Sequence, residues 1–494
     1  MGSRRKKHQI IWEAVPVSGY AAEGKSLARV DGKVLFIRGG AMPGDVVDVR
    51  LFKNKKDWAE GKVTHFHHYA PDRLVPFCPH FTLCGGCQWQ MLPYAKQLAY
   101  KQEQVGEQLA RIGKLDLPPM EPIVGATRTT EYRNKLEFTF SNRAFVPEEI
   151  FAEQQVPGED ALGFHLPGLF DKILDIERCG LQPDPSNEIR NTVGDFARRQ
   201  GYSFYDHRAH TGWLRNLIIR TSSTGEVMVN LCIRQDDETA RKALLDHLLA
   251  KVPAITTLLF TINPKKNDSI ADLEPVVYYG KGYIMERLGA YSFKIGPKSF
   301  FQTNTAQAEQ LYQVVRNFAG LTGTETVYDL YCGTGSIGIF VSAEAGKVIG
   351  VEQVGEAVDH ARENASINGV THAEFFEGDV SEVCTEQFFH HHGSADVVIT
   401  DPPRAGMHEK LLATLLTMEA PRIVYVSCNP ATQARDLVRL SEKYVVRRIQ
   451  PVDLFPHTHH IENVVLLEKK PRSTYGAPAW EGDGGSSEND SMTV

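Results

Sequence analysis

An α/β architecture with a doubly wound, Rossmann-like sheet in its C-terminal half is the fold class this sequence predicts, on three observations. Residues 300–467 alternate helical stretches with short apolar strands at 326–330, 348–351, 396–400, 423–426 and 464–467. The first of these strands runs into a glycine-rich turn, Cys332-Gly333-Thr334-Gly335-Ser336-Ile337-Gly338, and then an apolar helix. At 494 residues the chain is longer than a single core usually grows, so two or three domains are expected.

Residues 1–9 are basic and lack the apolar stretch of a signal peptide, which marks them as a tail. Residues 10–70 read as a small β-barrel. Apolar stretches at 34–37 and 46–51 are divided by Asp31-Gly32 and Gly39-Gly40, with Pro43-Gly44 following. Arg38, Arg50, Lys53, Lys55 and Lys56 are interleaved there with Phe36, Phe52 and Trp58. Nucleic-acid bases stack on such rings while phosphates meet the cations; a merely solvated basic edge is the plainer alternative. Residues 71–295 form a mixed α+β central domain. It opens with a cysteine-rich elbow, Cys78 to Cys87, then a helix over 93–113 begun by Pro93 and ended by Gly113. That helix is expected to pack on the C-terminal domain. Residues 296–470 carry the doubly wound sheet, and the Gly-, Ser- and acid-rich stretch 471–494 reads as a disordered tail. His390, His391 and His392 are expected in a loop, and three adjacent histidines without other ligands are weak evidence for metal.

Hydrophobic content of 42% and charged content of 23% fit a globular protein, and no apolar run is long enough to span a bilayer. A cytoplasmic, reducing location is expected, in which the 8 cysteines are thiols or metal ligands before they are disulfides. A net charge of −7 excludes a protein that coats nucleic acid nonspecifically, yet a local basic face still permits RNA binding.

Gly333, Gly335 and Gly338 satisfy G-x-G-x-x-G, so a dinucleotide-binding dehydrogenase stays open on these glycines alone. Glu352 ends the next strand, where an acid accepts from ribose hydroxyls in either kind of enzyme. Two later strand ends separate the readings: Asp401-Pro402-Pro403-Arg404 and Ser427-Cys428-Asn429-Pro430, both expected in one crevice. Asp-Pro-Pro followed by an aromatic residue marks amino-group methyltransferases acting on bases. Arginine in the last place, with a cysteine on the next strand, argues against amine chemistry. By position alone Cys428 reads equally as an active-site residue and as a buried structural thiol. Glu462, in Pro456-His457-Thr458-His459-His460-Ile461-Glu462, is the candidate base, in a polar segment ahead of the last strand. Cys332, Cys232 and Cys384 read as packing residues.

In these motifs the sequence resembles the RNA uracil-5-methyltransferase family. The resemblance rests on Ser299-Phe300-Phe301-Gln302-Thr303-Asn304, Asp329-Leu330-Tyr331-Cys332-Gly333, Asp401-Pro402-Pro403-Arg404, Ser427-Cys428-Asn429-Pro430 and Pro456-His457-Thr458 with Glu462. It covers nearly the whole chain and implies a TRAM-like, RNA-binding N-terminal barrel and an S-adenosyl-L-methionine-dependent methyltransferase domain over 296–470. It also implies that Gln302, Tyr331, Glu352 and Asp401 contact S-adenosylmethionine, that Cys428 is the nucleophile and that Glu462 accepts the proton. Without it, Gln302 carries no readable role, and Phe300 and Phe301 read as core.

Cys78, Cys84 and Cys87 are spaced C-x5-C-x2-C, with Cys179 far downstream. Four soft thiolates suit zinc or an iron–sulfur cluster, and spacing alone does not choose. The resemblance implies a 4Fe-4S cluster, as in the 23S ribosomal RNA branch of the family, with a structural role. The expected partner is therefore RNA, 23S ribosomal RNA before transfer RNA, with no membrane and a monomeric state. Two rival classes remain: an amino-group methyltransferase on nucleic acid or protein, which would not need Cys428, and an RNA-binding module without catalysis.

Overall fold

The computed structural model describes residues 10–145 and 160–471. The tail expected over 1–9, and that over 471–494 apart from Pro471, lie outside the described residues.

The N-terminal unit is a six-stranded sheet. Its strands run in the order Ile11–Pro16, Val46–Asn54, Trp58–His68, Lys33–Arg38, Ser26–Val30 and Gly19–Tyr20. Alternation along Val46–Asn54 turns Val47 and Val49 into a core with Val15, Leu35 and Ile37, and turns Arg50 and Phe52 outward. The central unit is a seven-stranded, mostly antiparallel sheet covered by the helices Ser186–Gln200 and Glu238–Lys251. Ile189, Val193, Leu244 and Leu248 of those helices share one core with Leu217, Ile219, Val229 and Leu231 of the strands.

The C-terminal sheet has seven strands. In spatial order they are Ala373–Glu377, Lys347–Glu352, Thr326–Leu330, Val397–Thr400, Arg422–Ser427, Glu462–Lys469 and Tyr444–Val452. The first five are parallel and the last two antiparallel to their neighbours. Alternate residues feed two cores. Val327, Val348, Ile399 and Val424 face the helix Thr305–Ala319, while Tyr328, Ile349, Val398 and Ile423 face Glu409–Met418 and Pro430–Leu440.

Two strands exceed the sequence expectation, each for a local reason. Ala373–Glu377 is an edge strand with only two phenylalanines between glutamates, and Tyr444–Val452 is broken by Arg447-Arg448 and bulged between Val446 and Arg448. Asp396 stands outside its expected strand because its carboxylate accepts the Thr326 N–H at 2.8 Å. His390, His391 and His392 close a short helix, Glu386–His392, where a loop was expected. The helix Tyr94–Gln108 starts after Pro93 but runs on through a widened turn, Leu109–Gly113. Its left-handed terminal residue is Lys114, at φ 48°, not Gly113. Val105 and Leu109 of this segment pack into the C-terminal domain's core beside Ala434 and Leu437.

Candidate active site

At the carboxyl end of Thr326–Leu330 the chain reverses through Tyr331 at φ 62°, Gly333 at φ 55° and Gly335 at φ 77°. The three glycines serve different ends. A Cβ at Gly335 would stand 3.0 Å from the Phe375 ring, and one at Gly338 would stand 2.9 Å from Asp329 Oδ2. In its place the Gly338 N–H donates to that oxygen at 2.8 Å. A Cβ at Gly333 would meet nothing within 4 Å, so there is open space beside this turn. Glu352 is held beside this turn by accepting the N–H groups of Gly333 at 3.1 Å and Val354 at 2.9 Å, with lone pairs to spare for a ligand. Asp329 Oδ1 is buried without a partner, and burial pushes this carboxyl up to about 7. Cys332 is buried against Gly350, in keeping with a packing role.

Gln302 lies half-buried, and its carbonyl accepts from Asn134 Nδ2 at 2.8 Å, so the central domain fixes this segment. Phe301 is buried, but Phe300 is 71% exposed, which corrects its expected place in the core. Phe300, just ahead of the buried Phe301, is turned outward between two pinned carbonyls, Arg220 donating to that of Ser299 and Asn134 to that of Gln302.

The strands Val397–Thr400 and Arg422–Ser427 are neighbours, and the turns that follow them are joined. Asn429 Nδ2 and Thr432 Oγ1 donate to the Arg404 carbonyl at 3.0 and 3.2 Å. Asn429 also caps the helix Pro430–Leu440, which fixes Cys428 between a strand end and a helix start. The strand beginning at Glu462 pairs antiparallel with Arg422–Ser427 in the register Ser427↔Asn463. One step further along that register sets Glu462 opposite Cys428. Asp401 and Arg404 complete the cluster. Burial, then the charges of Glu462 and Asp401, push the Cys428 thiol up to about 11, and the Arg404 guanidinium opposes them. Burial also pushes Asp401 up to about 7 and Glu462 well above the usual carboxylate range.

The loop leading into Glu462 is held from below by residues that carried no motif. Lys101 Nζ donates to Asp453 Oδ1 at 2.6 Å and to the Phe455 carbonyl at 3.0 Å, and the Lys101–Asp453 pair is fully buried. Tyr94 Oη donates to Asp453 Oδ2 at 2.9 Å, and Gln97 Oε1 accepts the His457 N–H at 2.8 Å. The signal was present: Gln97, Lys101 and Val105 form one i, i+4, i+8 stripe, and two polar residues on a buried stripe need partners. Arg404 Nη2 lies 3.0 Å from His460 Nδ1, which ties this loop to the Asp401 turn.

Cys78, Cys84, Cys87 and Cys179 line one cavity of about 560 Å³ between the elbow and the central sheet. Burial pushes Cys84 up to about 11 and Cys87 up to about 12, and neighbouring thiols add to both shifts. His80 Nε2 accepts the Glu177 N–H at 3.1 Å, joining the two segments. Among the described residues no three His, Cys, Asp or Glu side chains are gathered as ligands of one metal ion. The expected metal centre is thus not met by a preformed ligand set.

Comparisons with known proteins bear on the family and the fold. The family model tRNA (Uracil-5-)-methyltransferase matches residues 277–470, and the TRAM domain model matches residues 14–64. An RNA methyltransferase of Bacteroides thetaiotaomicron is 53% identical over 452 residues, covering 91% of this chain and 99% of the relative. One from Porphyromonas gingivalis is 49% identical, covering 91% and 98%. The crystal structure of Pyrococcus abyssi tRNA (uracil-54, C5)-methyltransferase with S-adenosyl-L-homocysteine superposes with a TM-score of 0.71. It is 27% identical and covers 92% of this chain and 100% of its own.

Proposed function

The chain belongs to the RNA uracil-5-methyltransferase family, and on that premise we propose that it methylates carbon 5 of one uracil in a structured RNA, with Cys428 as nucleophile and Glu462 as proton acceptor. The observation that carries the assignment of roles is the register that sets Cys428 opposite Glu462, beside Asp401 and Arg404.

Carbon 5 of uracil is a poor nucleophile. Addition of Cys428 as thiolate, its proton having passed to solvent, forms a C–S bond at carbon 6 and moves an electron pair into the ring as an enolate, which makes carbon 5 nucleophilic. S-adenosylmethionine, when bound, would supply an electrophilic methyl group to that carbon and leave as S-adenosylhomocysteine. Glu462 then takes the carbon-5 proton, the 5,6 double bond re-forms, and the C–S bond breaks to release Cys428 as thiolate. Burial raises the proton affinity of Glu462, which suits a base, and Arg404 favours both the thiolate and the carboxylate. Gln302, Tyr331, Glu352 and Asp401 would hold the cofactor. The open space at Gly333 and the spare lone pairs of Glu352 support that fit.

For the four cysteines we favour a 4Fe-4S cluster over zinc. The support is the donor set, four cysteines lining one cavity, with burial pushing the Cys84 and Cys87 thiols up, together with the family resemblance. Cluster binding would draw the ligands together, as metal sites are seldom complete beforehand. The cysteines favour 23S ribosomal RNA as substrate. A transfer RNA is the second reading, favoured by the name of the matching family and by the Pyrococcus abyssi enzyme. A cytoplasmic monomer fits either substrate; among the described residues no helix is long and apolar enough to cross a membrane.

RNA carrying 5-fluorouracil should trap a covalent complex, because no proton can leave carbon 5, and Cys428→Ala should abolish it. An adduct that persists in Cys428→Ala would sink the assigned nucleophile. Mass-spectrometric mapping of methyluracil in RNA from cells lacking the gene would choose between the two RNAs.

A further inference from the structure

The helix Ser186–Gln200 buries an arginine that has no counter-ion among the described residues. Arg190 is 1% exposed, and its guanidinium stands 5.1 Å from the centroid of the Phe138 ring. Its hydrogen bonds go to neutral oxygens. Nη1 donates to Asn187 Oδ1 at 2.9 Å, and Nη2 donates to the Glu177 carbonyl and, at 3.1 Å, to Asn191 Oδ1. Nε is buried without a partner. Burial pulls the guanidinium down to about 10, so it stays charged at neutral pH. Asp175 and Asp184 act on it from beyond pairing distance, and both are engaged elsewhere. Arg198 holds Asp175 at 2.9 Å, and Asn187 Nδ2 donates to Asp184 at 3.1 Å. A cation buried in this way is costly unless an opposite charge stands near it.

The nearest candidate for that charge is Cys179, whose sulfur acts on Arg190 ahead of either aspartate. One side chain joins the two residues. Asn187 Oδ1 accepts the Cys179 N–H at 2.8 Å as well as Arg190 Nη1, and Asn187 Nδ2 donates to the Cys179 carbonyl at 3.3 Å. The Glu177 carbonyl that Arg190 holds lies two residues ahead of the cysteine, so the backbone around Cys179 is gripped from this arginine on both sides. Cys179 in turn lines the cavity with Cys78, Cys84 and Cys87. Four uncharged thiols give the cation no counterpart. Four thiolates outweigh the charge of a zinc ion or of a 4Fe-4S core, so either centre would be an anion.

We propose that Arg190 is the built-in counter-charge of a metal centre on Cys78, Cys84, Cys87 and Cys179, and that it positions Cys179 through Asn187. The assignment rests on the four-cysteine reading given above and holds for zinc as for iron–sulfur. With iron–sulfur the cation has a second effect: it favours the more negative, reduced state and so raises the reduction potential.

The test uses the full chain purified without oxygen, with metal content and the rate of metal loss to excess chelator as readouts. Arg190→Gln removes the charge and Arg190→Lys keeps it, while both give up the planar fork. Arg190→Gln should lose metal about ten-fold faster or more, the usual cost of removing a group behind a metal ligand, and Arg190→Lys should stay within about three-fold of the unaltered chain. In an iron–sulfur protein Arg190→Gln should also lower the reduction potential. Arg199→Gln, exposed on the same helix, should change neither. Where Arg190→Gln does not fold, Asn187→Asp and Asn187→Ala decide. The aspartate keeps the acceptor for Cys179 and cancels the cation in place, so it should lose metal faster than the alanine, which gives up more bonds without adding charge. The reverse order overturns the counter-charge. Equal metal loss in Arg190→Gln and the unaltered chain, or equal acceleration by Arg190→Gln and Arg190→Lys, overturns it too and leaves the metal centre standing. An unaltered chain that holds neither iron nor zinc overturns the four-cysteine reading, and the counter-charge with it.

Discussion

At Cys428 the resting surroundings oppose the ion that the proposed chemistry needs. Burial, Glu462 and Asp401 all favour the thiol, leaving Arg404 as the neighbouring charge that favours thiolate. A thiol pushed up to about 11 is ionised only slightly at neutral pH, so its reactivity should track pH. Alkylation of Cys428 by iodoacetamide, followed by mass spectrometry in the absence of RNA, should climb about tenfold per pH unit between 7 and 10. Arg404→Gln should slow it further at pH 8. A pH-independent rate over that range would contradict the placement of the two carboxyls against the sulfur. The cysteine itself was legible in the sequence, as a residue just past an apolar strand. Its partner's position was less so, because Glu462 comes to face Cys428 only through the antiparallel entry of the last strand, and the sequence pattern carries no sign of direction.

The helix Tyr94–Gln108 shows how one element from another domain shapes the site. Its Lys101 and Gln97 grip the segment from Asp453 to His457, five residues ahead of Glu462 at the nearer end. Removing the cation strands a buried carboxylate, which costs about 3–5 kcal/mol in comparable pairs. Lys101→Met should therefore lower stability to urea by about that much and reduce methyl transfer. Lys101→Met combined with Asp453→Asn should recover part of the stability, because the stranded charge is gone, while the asparagine oxygen can still accept the Phe455 N–H and its amide N–H can donate to Tyr94 Oη. Additive losses in the double variant would show that the two residues do not act as a pair. The helix was legible from Pro93 onward and from its length. Its end was not, since a lysine took the left-handed position that glycine usually fills.

On the scale of the whole molecule, the three large sheets were foreshadowed unequally. The C-terminal domain announced itself through strand and glycine-turn alternation, and the N-terminal sheet through its turn pairs. The central sheet did not, because its strands are buried on their inner faces by helices from distant sequence and show no repeating motif. The four cysteines expose the same limit. Three lie within one elbow, but Cys179 reaches them only because the hairpin Ala161–Leu166 and Leu169–Asp175 folds back over it; Leu166, Leu174 and Ile176 pack against Cys84 and Cys179 together. That cavity shares Phe81, Gly85, Cys87, Leu166 and Pro167 with the groove beside the N-terminal sheet. A cluster seated on the four sulfurs would thus set the shape of a wall between two domains. Protein purified without oxygen should be brown and contain iron and sulfide, and Cys179→Ser should lose both. The same variant should bind RNA more weakly while S-adenosylmethionine binding is unchanged, because the cofactor crevice lies in a separate sheet. Stoichiometric zinc in the unaltered protein would overturn the cluster; unchanged RNA affinity in Cys179→Ser would show that the shared wall holds its shape without it.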